Sequence, residues 1–181
     1  MKYIGIFLTL IVVALIGKSV YQQVNKDDMS AKAHRIACQK DAITFERVVR
    51  KNLVEDIKNS IYSNTIKLDI HTQKAKYMQS QLFDYVKVPN IQKFLLSTIK
   101  TYEDKTKTTS KDVVLDLLVY ENDKKDPGKK TKKSKLYAGY LEFDFKIQNA
   151  TVYKIQLDFM DLKGKDINKR ISCAIKSVMT L

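Results

Sequence analysis

Tryptophan is absent from the 181-residue chain, and glycine (5), proline (2), cysteine (2) and histidine (2) are all scarce. Little glycine and proline exclude a collagen repeat, a proline-rich linker and a glycine-rich phosphate cradle as organising themes. The sequence Gly128-Lys129-Lys130-Thr131 lacks both the upstream glycine and the Gly-Lys-Ser/Thr order of a phosphate loop. No EF-hand, HExxH or GxSxG pattern occurs. Zinc is not indicated, because there is no C-x-x-C and His34 and His71 stand apart from both thiols. A hydrolase needs a nucleophile beside an oriented base, usually histidine. His34 falls on an expected helix and His71 in an ambiguous stretch, neither within a motif. The adjacent acids Asp27-Asp28, Glu55-Asp56 and Glu103-Asp104 read as helix caps and solubilising charge. The expectation is a non-enzyme with no cofactor and no metal.

An apolar fraction of 44% against 29% charged residues is enough for one folded core. The charge is lopsided: 33 Lys and Arg face 20 Asp and Glu, for a formal +13. The only long apolar run is Tyr3 to Gly17, interrupted by Thr9 alone and preceded by Lys2. It reaches spanning length if Lys18 snorkels and Val20 and Tyr21 join it. Residues 1–21 therefore read as a transmembrane anchor with the positive side inside. The alternative is a cleaved signal segment, with Gly17 and Ser19 as the small residues before the cut. Both readings export residues 22–181 as an extracytoplasmic domain. The expected location is a bacterial inner membrane with a periplasmic domain, or the periplasm after cleavage.

Residues 27–61 carry the stripe Cys38, Ala42, Phe45, Val49, Leu53, Ile57, Ile61 at steps of three and four, which predicts one long amphipathic helix. Asp27, Asp28 and Ser30 are its candidate caps. Ile66, Leu68 and Ile70 alternate, as in a short strand. Residues 77–86 and 89–102 suggest two shorter helices, the second opened by Pro89. From Asp112 the period becomes 2. Val113–Tyr120 reads as a central strand buried on both faces. Residues 137–147, 153–159 and 171–181 follow as half-buried strands, joined by turns at Gln148-Asn149-Ala150 and Lys163-Gly164-Lys165-Asp166. The predicted class is α+β: an N-terminal membrane or signal helix, then a long helix and two shorter ones packed on a four-stranded antiparallel meander. Asn149-Ala150-Thr151 is a glycosylation sequon within one of these turns.

Cys38 lies on the helix stripe and Cys173 on the apolar face of the last strand, so both thiols point into one interface. An even cysteine count in an exported chain supports a Cys38–Cys173 disulfide. Residues 124–135, KKDPGKKTKKSK, hold seven lysines against one aspartate. Lys124, Lys125, Lys129, Lys130, Lys132, Lys133 and Lys135 are thus candidate contacts to a polyanion or an acidic partner. The competing reading is a solvated, mobile hairpin loop that keeps the sheet edge soluble. Lysine without arginine or interleaved aromatics gives no base readout, so specific nucleic-acid binding is not expected.

The apolar helix running into an amphipathic one and then a sheet resembles a type IV pilin-like subunit. In that resemblance the leader ends at Gly5, the helix runs to about Ser60, and the family's acidic fifth mature residue falls on Leu10. The element order over roughly residues 30–181 also resembles membrane-anchored domains of nuclear-transport-factor-like fold, which implies a scaffold role in an envelope machine. The leading expectation is a non-catalytic, membrane-tethered scaffold or assembly subunit of a cell-envelope complex with protein partners. The alternatives are a pilin-like subunit and a small-ligand or polyanion binding module.

Overall fold

The structure, a computed structural model, describes residues 35–181. The expected membrane or signal segment, the caps Asp27, Asp28 and Ser30, and His34 lie outside the described residues. No helix among the described residues is long and apolar enough to cross a membrane.

Five strands form one mixed sheet: β1 (Thr44–Val48), β2 (Lys67–Gln73), β3 (Val113–Glu121), β4 (Gly139–Ile147) and β5 (Ala150–Phe159), in the order β1-β5-β4-β3-β2. β2 runs parallel to β3, and every other neighbouring pair is antiparallel. Four helices accompany it: α1 (Val54–Tyr62), α2 (Leu82–Tyr85), α3 (Val88–Lys100) and α4 (Ile167–Met179). The class is α+β as predicted, but strand count, order and direction differ from a four-stranded meander.

Alternation made β3, β4 and β5 legible. Val113, Leu115, Leu117 and Val119 are buried on one face of β3, beside Leu141, Phe143, Phe145 and Ile147 of β4. Ile155, Leu157 and Phe159 continue that face on β5. β3 is not buried on both faces: Val114, Leu118 and Tyr120 are half-exposed on the other side. Gln148 and Asn149, both at positive φ (52° and 61°), form the tight turn between β4 and β5, as the sequence suggested.

The helix layer covers the buried face with Ile57 and Ile61 of α1, Leu95 and Ile99 of α3, and Ala174, Ile175 and Val178 of α4, all fully buried. Each such side chain contributes roughly 1.5–3 kcal/mol on burial. The side chains between helices and sheet are therefore closed off from solvent. The three hollows described by their linings lie elsewhere on the surface. The larger two, about 420 and 410 Å³, lie around Phe94, Tyr102 and Lys176 and around Val48, Val54 and Lys58.

Three predicted elements are corrected. The long helix is not continuous over the described part of its range. Residues 37–41 form a 3-10 turn, Thr44–Val48 is an edge strand, and only Val54–Tyr62 is α-helical. Phe45 and Val49 met the helical spacing by chance; with Ile43, Thr44 and Val48 they make a β-branched and aromatic run, and Thr44–Val48 pairs with β5 instead. The last predicted strand is α4. Ile171, Cys173 and Ile175 alternate, but Ile167, Ile171, Ala174, Ile175 and Val178 also satisfy a helical stripe. The sheet's bare apolar face needed that stripe as cover. The helix predicted over 77–86 shrinks to Leu82–Tyr85.

Candidate interaction surface

The predicted disulfide is present. Cys38 and Cys173 are bonded, with Cα atoms 5.8 Å apart. Their elements are a 3-10 turn and a helix rather than a helix and a strand, yet both side chains meet the core as the pattern required. The bond lies within a zipper, because residues 35–41 run antiparallel along α4. Arg35 donates to Thr180 Oγ1 at 2.8 Å, Gln39 Nε2 to Ser177 Oγ at 3.0 Å, and Lys169 pairs with Asp41 at 2.7 Å. The Lys169 ammonium, by hydrogen bond and then by charge, holds the Asp41 carboxyl below its usual range. Glu46 of β1 points inward from the edge and accepts from Tyr153 Oη and Gln39 Nε2, each at 2.8 Å, and from Arg35 Nε at 3.1 Å. Burial, followed by the Glu46 charge and hydrogen bond, pushes the Tyr153 phenol up. An inward, fully paired charge of this kind blunts an edge strand.

The open face of the sheet carries the remaining ionisable side chains of the strands, except Glu121 at the end of β3. All three strand lysines are paired there. Lys67 meets Asp112 at 2.8 Å, Lys146 meets Asp116 at 2.5 Å and Asp144 at 3.7 Å, and Lys154 meets Glu142 at 2.8 Å. Asp116 with its hydrogen bond, opposed by burial, raises the Lys146 ammonium pKa on balance. His71 is exposed beside Asp69 at 3.2 Å and Asp116 at 3.7 Å. Tyr120 and Tyr140 stack with centroids 4.4 Å apart. Burial, with Glu142 nearby, pushes the Tyr140 phenol up to about 12. Among the described residues, no three His, Cys, Asp or Glu side chains gather to hold a metal ion.

The lysine-rich segment lies at one end of the sheet, where β3 ends and β4 begins. Its base is held by hydrogen bonds. Asn122 donates from Nδ2 to the carbonyls of Ser134 (3.0 Å) and Tyr137 (2.8 Å), and its own N–H bonds the Ala138 carbonyl. Lys129 folds back: its Nζ donates to Asn122 Oδ1 and Tyr120 Oη and lies 5.1 and 5.9 Å from the Tyr120 and Tyr137 ring centroids. Residues Lys133–Lys135 form a 3-10 turn. Lys129 is thus part of the loop's foundation. Lys125, Lys130, Lys132, Lys133 and Lys135 are exposed and Lys124 is half-exposed.

Two further segments join that end, and here sequence reasoning fell short. The stretch after β2 adds exposed Lys74 and Lys76, and the turn after β5 adds exposed Lys163 and Lys165. The carboxylates of these segments are turned onto backbone N–H groups. Glu121 accepts from Ala75, Gln81 and Leu82, at 2.8–3.0 Å. Asp123 accepts from Lys76, Tyr77 and Lys125. Asp126 caps Gly128, Asp161 takes Lys163 and Lys165, and Asp166 takes Met160 and Asp161. Burial works against ionisation of Glu121 and Asp123, but these backbone donors outweigh it and hold both carboxyls below their usual range. Among the described residues none of these carboxylates is in a close pair with a lysine ammonium; Asp166 meets Arg170 at 3.3 Å. No signal in the sequence marks which acids serve amides and which serve lysines.

Bulky apolar side chains are interspersed with these lysines. Leu136 is 64% exposed, Met160 54% and Leu162 57%. The Ala138 N–H bonds the Phe159 carbonyl at 2.9 Å, which sets Leu136 and Met160 on neighbouring strand ends. Compared with known proteins, the chain matches no family, no curated relative and no solved structure.

Proposed function

We propose that the chain is a non-catalytic, membrane-tethered scaffold or assembly subunit of a bacterial cell-envelope complex, with residues 35–181 on the periplasmic side of the inner membrane. The observation that carries this reading is the Cys38–Cys173 bond. Disulfides persist in oxidising compartments and are rare in the reducing cytosol, and the apolar run Tyr3 to Gly17 supplies a route of export. A sheet face covered by helices, with its side chains closed off from solvent, favours a body that presents surfaces over one that encloses a small ligand. Edge strand β1 offers a protein partner unpaired backbone flanked by exposed apolar side chains, Phe45 on one face and Val48 on the other. The pilin-like alternative loses its main support, because its helix would have to pass through Thr44–Val48, which is a strand.

Thiol trapping in intact cells tests the compartment. The full chain is expected to take up no alkylating label before reduction and two labels after it. It should also stay in the membrane fraction at alkaline pH. Two labels before reduction would place the chain in the cytosol and overturn the reading. For the scaffold role, Phe45→Lys with Val48→Lys is expected to shrink the assembly that the full chain forms in mild detergent, with the fold intact by circular dichroism. An unchanged assembly size would remove β1 from that role.

A further inference from the structure

The lysine-rich end of the sheet has three properties together. Its charge is net positive, because the lysines of the three segments outnumber Glu121, Asp123, Asp126, Asp161 and Asp166, and among the described residues none of those carboxylates is in a close pair with a lysine ammonium. It is held in place, by Asn122 and by Lys129 between two tyrosines. It also exposes Leu136, Met160 and Leu162 among the lysines. A loop kept only for solubility needs neither the anchoring nor the apolar tips.

Each feature narrows the partner. All the basic residues of these segments are lysines; Arg35, Arg47 and Arg50 lie elsewhere, and the buried Arg170 of α4 is paired with Asp166 at 3.3 Å. Lysine is a compact point charge suited to a diffuse anionic field rather than to bidentate recognition of one group. Protruding leucine and methionine side chains contribute nothing to nucleic-acid backbone binding. They do insert favourably at a headgroup–acyl boundary. Lysines around such tips bury their methylene stems while the ammonium stays at phosphate level. An acidic protein partner would satisfy the charge, but it would need a matching apolar socket that a fluid bilayer supplies without shape.

We propose that this end of the sheet docks on an anionic lipid surface, with its lysines at phosphate level and Leu136, Met160 and Leu162 entering the headgroup–acyl boundary. The docking deepens the tethered reading, on which it rests only for a bilayer being close by. The surface itself belongs to the described domain.

The absence of tryptophan makes the test clean. Leu136→Trp, at an exposed position, places a single fluorophore on the proposed contact. The full chain is reconstituted into vesicles with brominated acyl chains, made of phosphatidylcholine with or without phosphatidylglycerol. Emission is expected to shift to the blue and be quenched only where phosphatidylglycerol is present, and to recover at high salt. A lysine near an anionic surface is worth about a fivefold preference. Lys130, Lys132, Lys133 and Lys135 changed together to Gln are therefore expected to lower the docked fraction relative to the undocked by about a hundredfold or more. Leu162→Trp serves as a second reporter if Leu136→Trp perturbs the loop. Emission that stays unshifted and unquenched in both lipids, or quenching that survives the lysine changes, overturns the proposal. Vesicle retention is read in the same samples. A chain that stays in the bilayer with an unquenched reporter loses the docking face but keeps its tether; a chain that leaves the vesicles loses the tether.

Discussion

Lysine is used in two opposite ways on the two exposed parts of this sheet. On the open face Lys67, Lys146 and Lys154 each meet a carboxylate within 2.8 Å. At the end where β3 meets β4, exposed lysines from three segments meet none. Acids are not missing there: Glu121, Asp123, Asp126, Asp161 and Asp166 are all present. They differ in what they serve. The open-face strands already have their N–H groups paired in the ladder, so the carboxylates are left for ammonium groups. The chain beyond the strand ends has no ladder, and its orphan amides take the acids first. Irregular backbone thus holds these carboxylates on amides rather than in ion pairs, and the surface stays net positive because its lysines outnumber them.

The largest expected effect comes from removing that foundation. Glu121→Ala leaves the amides of Ala75, Gln81 and Leu82 without their acceptor. A loss of about 2–4 kcal/mol is expected by denaturant unfolding, with faster hydrogen exchange over 74–82. A change below the error of the measurement would mean that water replaces the carboxylate at no cost.

Acid reaches the same clasp without mutation. Glu121 and Asp123 have folded-state pKa values below their ordinary ones. The unfolded chain therefore takes up protons first, and the stabilisation is complete above the ordinary carboxylate range and lost as pH falls through the folded values. Asp158 runs the other way: burial raises its pKa, against the weaker pull of Gln156 and Arg170. Its folded form binds a proton more readily, so it costs stability as pH rises past the unfolded value. Asp158→Asn is expected to stabilise the domain at neutral pH and to leave the acid-induced loss intact. Thermal unfolding of both proteins from neutral to acid pH separates the two contributions.

The open face should respond mildly. Asp116→Asn removes the partner of Lys146 and a neighbour of His71, and a cost of about 0.5–1 kcal/mol is expected, falling with added salt. The smallest effect is expected from changing Lys130, Lys132, Lys133 and Lys135 together to Gln, within about 0.5 kcal/mol of wild type, since no intramolecular pair is broken. A large loss there would show that these lysines serve the fold.

Much of the architecture was legible. Strict alternation with Glu142, Asp144 and Lys146 opposite Leu141, Phe143 and Phe145 left β4 no other conformation, and β5 followed the same rule. The two cysteines were paired correctly although both host elements were misread, because a thiol among core-facing residues meets the core whichever element carries it. Residues 35–53 and 167–179 were misread for one reason. Their apolar spacing fits helix and strand equally, and the choice falls to tertiary demand: an edge of β5 to be paired, and a bare sheet face to be covered. The parallel placement of β2 was hidden too, since nothing local reveals on which edge a short strand lands. The lysine count of 124–135 was plain, but its lack of close ion pairs was not, because nothing in the sequence shows that Glu121 and Asp123 bond backbone amides.

Quantitative amine labelling of the full chain, residue by residue, in phosphatidylcholine and in phosphatidylglycerol bilayers tests the division between the two lysine populations most directly. The expected result is protection of Lys130, Lys132, Lys133 and Lys135 in the anionic bilayer alone, with Lys146 and Lys154 labelled equally in both. Equal labelling of all six in the two lipids, or protection spread evenly over both groups, would contradict it.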